Sequence, residues 1–191
     1  MNTDNIFFDV SKLKYCGNNV IIGKTVRIRY PEFVEIGDNV IIDDFTYIST
    51  KLKLHNNVHI ASGCKIIGGK DAFVEMFNFS TLAPNVVLAA GSDDYISGIA
   101  TPTVPIEYKG NVAIGKIIIN KHCIIGSNSV VLPNVIFQEG ACLGALSLAN
   151  KDLEKYKLYA GIPAVLLKER DKNTIQKLED EYYGATKLEN S

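Results

Sequence analysis

Two adjacent carboxylates flanked by hydroxyls, Ser92-Asp93-Asp94-Tyr95 followed by Ser97-Gly98, are the residues of this chain best suited to chemistry on a polar substrate. A carboxylate can hydrogen-bond an amine or a hydroxyl and take its proton as the oxygen or nitrogen attacks a carbonyl. Asp94 is the expected base, and Ser92, Asp93, Tyr95, Ser97 and Gly98 are the expected acceptor contacts. Serine and aspartate also build ordinary solvated turns, so the run acquires meaning only from its place in the chain. It contains no histidine, and that absence narrows the chemistry. A hydroxyl needs strong help to become nucleophilic, whereas a neutral amine already offers a lone pair. An Asp-rich loop without His therefore favours an amine acceptor, unless a neighbouring subunit lends His55 or His59.

The run sits inside a gap in a repeat. Ile36, Ile42, Ile48, Leu54, Ile60 and Ile66 recur at strict six-residue spacing, a period that fits neither a helix nor a single strand. Four positions after each of the first five comes a second small or apolar residue: Val40, Thr46, Leu52, Val58 and Cys64. Two inward residues per hexamer describe short strands joined by tight corners, the signature of a β-helical solenoid. The pattern begins at Ile22-Gly23 and Ile28, slips by two residues near Tyr30-Pro31, and meets an insertion within Gly68 to Phe73. It continues at Met76, Leu82 and Leu88, then stops from Ala89 to Val112. It returns at Ile119, Ile125, Val131, Phe137 and Leu143, with Cys123, Ser129, Val135, Ala141 and Ser147 as the second set. Three hexamers make one turn, giving roughly five to six coils. A loop as long as 89–112 inside a compact solenoid is a functional candidate.

A second departure closes the winding: Tyr159-Ala160-Gly161-Ile162-Pro163-Ala164, then Lys168 and Arg170, cations suited to a phosphate group. Beyond it, Asp171 to Tyr183 has Ile175, Leu178 and Tyr182 at helical spacing, and Met1 to Asn18 is the expected first cap. The chain thus divides into a β-helix unit over 1–168 and a helical tail over 169–191. Twenty Lys plus Arg against 21 Asp plus Glu give a net charge of −1, and no basic stripe points to nucleic acid or a membrane surface. Cys64 and Cys123 fall on inward positions and Cys16 and Cys142 form no CxxC pair, which predicts packed free thiols in a reducing cytoplasm. The first residues lack the basic start and apolar core of a secretory signal.

The repeats, the interrupting loop, the AGIPA exit and the terminal helical stretch together resemble the hexapeptide acyltransferases. That resemblance covers about Val20 to Tyr183 and implies a left-handed parallel β-helix, assembled as a homotrimer with sites between subunits, that moves acyl groups from coenzyme A. The segment Gly115 to Val135 is similar to the family's cofactor-side coils. AGIPA matches the usual AGNPA, with Ile162 where Asn is typical. By this likeness the backbone at Gly126-Ser127 and Gly144-Ala145 holds the pantetheine arm, Ile162-Pro163 packs near adenine, and Lys168 approaches a phosphate. SDDYISG followed by TPTVP resembles the branch that acts on nucleotide-linked amino sugars, the anthrose-pathway type among them. The branch implies dTDP-4-amino-4,6-dideoxyglucose as acceptor and a branched 3-hydroxyacyl-CoA as donor. Direct transfer in a ternary complex follows, with no acyl-cysteine and no metal.

Other readings of the same residues are O-acylation of a sugar hydroxyl, a zinc enzyme of the γ-carbonic anhydrase type using His55, His59 and His122, and a non-catalytic scaffold. The histidines do not reproduce the anhydrase spacing, and a scaffold has no use for the polar loop.

Overall fold

A computed structural model of the chain describes residues 8–189. The expected cap and tail therefore lie outside the described residues at 1–7 and 190–191.

The hexapeptide residues build two-residue strands that stack in parallel register around one axis. Along one face Ile22, Ile42, Ile60, Leu82, Ile125 and Leu143 lie one above the next. All six are buried, and removing such aliphatic side chains from water stabilises the fold by about 1.5–3 kcal/mol each. The corners between strands need a backbone that reverses within two residues. Asn19, Asn39, Asn57, Asn85, Asn128 and Asn134 supply it in the left-handed conformation, with φ between 55° and 63°. Asparagine tolerates that region better than other residues with a Cβ. Hydroxyls on inward positions are satisfied by carbonyls of the next turn: Thr50 Oγ1 donates to Ala72 O at 2.8 Å and Ser129 Oγ to Gly144 O at 2.8 Å.

The winding makes about seven turns rather than five to six. The first begins within the expected cap, where Tyr15–Cys16 pairs with Glu35–Ile36. The last is carried by Leu153, which bridges to Phe137, and by Lys157–Ala160, which pairs with Cys142–Leu143. Cys16 and Leu153 do not continue the six-residue aliphatic beat, so counting it misses these rungs. The Gly68–Phe73 insertion does not break the winding either. Lys65–Met76 runs as one long strand beside Tyr47–Leu54, with the register shifting around Thr50.

After the AGIPA turn, Val165–Glu169 folds back antiparallel on Lys157–Ala160. Helix Lys172–Glu189 follows, capped by Asp171, which accepts from Thr174 N at 3.0 Å and Thr174 Oγ1 at 2.7 Å. Glu179, its side chain only 3% exposed, ties the helix to Lys121 and His122 on a coil corner. Phe79 stacks on His122 there and meets Tyr182 and Tyr183 edge-on. No helix among the described residues is long and apolar enough to cross a membrane.

Candidate active site

The loop that interrupts the repeat is pinned at its base by a short antiparallel pair, Gly91–Ser92 with Ala113–Ile114. Its two arms are joined above that base by Asp94. One carboxylate oxygen of Asp94 accepts from Ile96 N at 2.8 Å and Ser97 N at 3.1 Å. The other accepts from Ser97 Oγ at 2.8 Å and, across the loop, from Asn111 N at 2.9 Å. The Asn111 amide, then the Ile96 amide and the Ser97 hydroxyl and amide, hold this carboxyl far below the ordinary aspartate range. Asp94 is 9% exposed. Gly98 fits because a Cβ there would collide with the Lys109 carbonyl of the opposite arm.

Against this loop lies a cavity of about 520 Å³, within the range of small-molecule sites. Its lining includes the polar side chains of Ser92, Asp93, Tyr95 and Lys109, the apolar ones of Val112, Val130, Leu132 and Pro133, and Gly68-Gly69. Asp93 Oδ1 is paired with Lys109 Nζ at 3.0 Å, and Ser92 Oγ donates to Asp93 O at 3.2 Å. Three of the expected acceptor contacts (Ser92, Asp93 and Tyr95) thus meet at one cavity. Asp94, Ser97 and Gly98 are not among its lining residues; they hold the loop together beside it. Lys109 was not expected. It lies in the far arm of the loop, where no repeat or motif marks it.

The expected cofactor residues form a second group, none of which lines that cavity. Gly126-Ser127 and Gly144-Ala145 occupy the same corner in successive turns: Gly126 N donates to Leu143 O at 2.8 Å and Gly144 N to Tyr159 O at 2.7 Å. A Cβ on Gly126 would collide with the Ala145 amide, so the backbone here is bare by necessity. Ser147 Oγ accepts from Gly161 N at 2.9 Å and draws the exit turn against this corner. Ile162 and Pro163 form the exposed tip of that turn, and Lys168 is exposed on the returning strand. Arg170 has a structural task instead: its guanidinium donates to the carbonyls of His122 at 2.8 Å and Gly140 at 2.6 Å.

Each histidine ring has a carboxylate partner: His55 with Glu75 at 2.8 Å, His59 with Asp43 at 2.9 Å, His122 with Glu179 at 2.9 Å. Among the described residues no group of three or more His, Cys, Asp and Glu side chains is placed to hold a metal ion. Burial, and after it the neighbouring Cys142, pushes the Cys123 thiol up to about 12; burial pushes Cys64 up to about 11. Such thiols stay protonated at neutral pH and are poor acyl carriers.

The family model for bacterial transferase hexapeptide (six repeats) matches residues 33–68. Over 169 residues the chain is 38% identical to a dTDP-4-amino-4,6-dideoxy-D-glucose acyltransferase of Escherichia coli, covering 85% of each protein. The chain belongs to the hexapeptide acyltransferases. Its solenoid is the left-handed β-helix of this family, and the chain is an acyltransferase. Among solved structures it resembles AntD, an N-acyltransferase from Bacillus cereus, in complex with dTDP and 3-hydroxybutyryl-CoA. The TM-score is 0.88 at 35% identity, over 93% of both chains. A variant of AntD in complex with dTDP-4-amino-4,6-dideoxyglucose and coenzyme A superposes with a TM-score of 0.87, covering 91% of this chain and 92% of that one.

Proposed function

We propose that this chain is an N-acyltransferase that moves an acyl group from acyl-CoA to the amine of a dTDP-linked 4-amino-4,6-dideoxysugar. The observation that carries the reading is the histidine-free cavity beside the loop, with Ser92, Asp93, Tyr95 and Lys109 in its lining, in a chain 38% identical to an acyltransferase named for that sugar. Acceptor and acyl-CoA meet in one ternary complex. The neutral amine attacks the thioester carbonyl, a backbone N–H stabilises the oxyanion, the C–S bond breaks as the C–N bond forms, and the amine's surplus proton ends on the departing sulfur. The buried, protonated thiols of Cys64 and Cys123 support direct transfer over an acyl-cysteine.

The base expected at Asp94 takes a different form. Four donors occupy the lone-pair directions of its carboxylate, and a carboxyl so stabilised as an anion is a weak proton acceptor. Asp94 is then a positioning residue that shapes the acceptor loop. Asp93, on the cavity wall with Ser92 and Tyr95, is the carboxylate that receives the amine. Gly126, Ser127, Gly144 and Ala145 carry the pantetheine arm, Ile162 and Pro163 border adenine, and Lys168 meets a phosphate. Tyr95, Ile96, Ile99 and Ile106 expose large apolar surfaces on the loop, which supports burial against a neighbour in a homotrimer of cytoplasmic enzyme.

The test is a mass-spectrometric screen of dTDP-linked amino sugars and their hydroxyl counterparts against several acyl-CoAs. Turnover of the 4-amino sugar is the expected result; turnover confined to hydroxyl acceptors would overturn the reading.

A further inference from the structure

Lys109 is held unlike an ordinary surface lysine. Its backbone is fixed three times over: its N–H donates to Ile106 O at 3.0 Å, its carbonyl packs against Gly98, and two residues on Asn111 N donates to Asp94 at 2.9 Å. Its side chain is 15% exposed and its ammonium sits 3.0 Å from Asp93 on the wall of the 520 Å³ cavity. Among the lining residues it is the one cation. An ammonium has three N–H donors, and Asp93 engages one of them. Val112, Val130 and Leu132 contribute apolar lining to the same cavity and lower the local dielectric, so an anion entering here would be attracted more strongly than at an open surface. Gly68-Gly69 add no side chains to the lining, and the space beyond the Gly69 Cα is open.

We infer that Lys109 binds the diphosphate of the nucleotide-linked acceptor, held ready for it by Asp93. With one hydrogen bond added at each end, the carboxylate–ammonium couple reaches beyond the two ends of a pyranose ring, so both ends are met when the two hydrogen bonds converge on the sugar. In a 4-amino hexose that ring separates the amine from the anomeric diphosphate, so Asp93 meets one end of the sugar and Lys109 the other. The inference rests on the acceptor assignment proposed above and adds the residue that reads its phosphates.

The experiment is a calorimetric titration of the full chain and its Lys109→Met, Lys109→Arg and Asp93→Asn/Lys109→Met variants with dTDP, thymidine and coenzyme A, paired with steady-state kinetics. Loss of one charge-assisted contact should weaken dTDP binding and raise KM for the nucleotide sugar by about 10- to 100-fold. In the two Lys109 single variants thymidine and coenzyme A binding should be unchanged, and Lys109→Arg should recover most of the loss. The double variant leaves no unpaired carboxylate and should show the same dTDP deficit. Binding of dTDP within about twofold of wild type, or an equal loss for thymidine, would overturn the inference. So would a deficit in coenzyme A binding with dTDP intact, because the diphosphate would then be the cofactor's. A wild-type enzyme that binds dTDP through Lys109 yet acylates no amino sugar would sink the functional reading and leave the phosphate contact standing.

Discussion

At the scale of single residues the molecule separates two neighbouring carboxylates by environment. Asp94 has every lone pair engaged inside the loop, while Asp93 faces a cavity with one oxygen on Lys109. Asp94→Asn puts an NH2 against the donors on one carboxylate oxygen, so the two loop arms should part. We expect KM for the acceptor to rise at least about tenfold and hydrogen exchange of Ile96, Ser97 and Asn111 to accelerate. A fall in kcat alone, with loop protection intact, would show that Asp94 acts chemically. The pH dependence follows from its lowered pKa. The folded loop favours the anion, so the stabilisation is complete above the unfolded aspartate value near 3.8 and is lost only as pH falls through the lower folded one. Protection of those three amides should therefore persist from pH 7 to about pH 4 and fail only in stronger acid. The paired aspartates were legible in the sequence as candidates, but their different environments were not. Which carboxylate turns inward depends on the backbone amide of Asn111, far along the chain, and Lys109 has no periodic or motif signal at all.

At the scale of elements the six-residue beat was enough to place most strands, because two inward aliphatics per hexamer admit one winding. It undercounted the turns at both ends, where Cys16, Leu153 and Tyr159 fill the core without the aliphatic signature. Corners are the sensitive parts. A Cβ at Gly126 collides with backbone atoms of the next turn, whereas one at Gly144 meets the Ala160 methyl at 3.0 Å and the Tyr159 carbonyl at an ordinary 3.5 Å. Gly126→Ala should lower stability by about 1–3 kcal/mol, as overpacking does, and weaken coenzyme A binding; Gly144→Ala should be milder in the melting temperature. Equal melting points for the two would contradict the stacking described at that corner.

At the scale of the whole molecule the terminal helix is anchored by a buried charge. Burial works to raise the pKa of Glu179, and Lys121 and His122 outweigh it and hold the group below the ordinary glutamate value. Its stabilisation is present above about 4.5 and is lost as pH falls through the folded value. Glu179→Ala takes the shared partner from Lys121 and His122, and we expect a loss of about 1–3 kcal/mol, seen as early melting of helix 172–189 by hydrogen exchange. A variant as stable as wild type would show that this charge cluster does not hold the helix. The same solenoid that fixes the helix also fixes the loop and the cavity beside it. The chemistry of the bond made there is the most direct test of the account. The product of acyl-CoA and dTDP-4-amino-4,6-dideoxyglucose should carry one acyl group that survives mild alkali and hydroxylamine, as an amide does. An acyl group released by that treatment, as an ester would be, would contradict it.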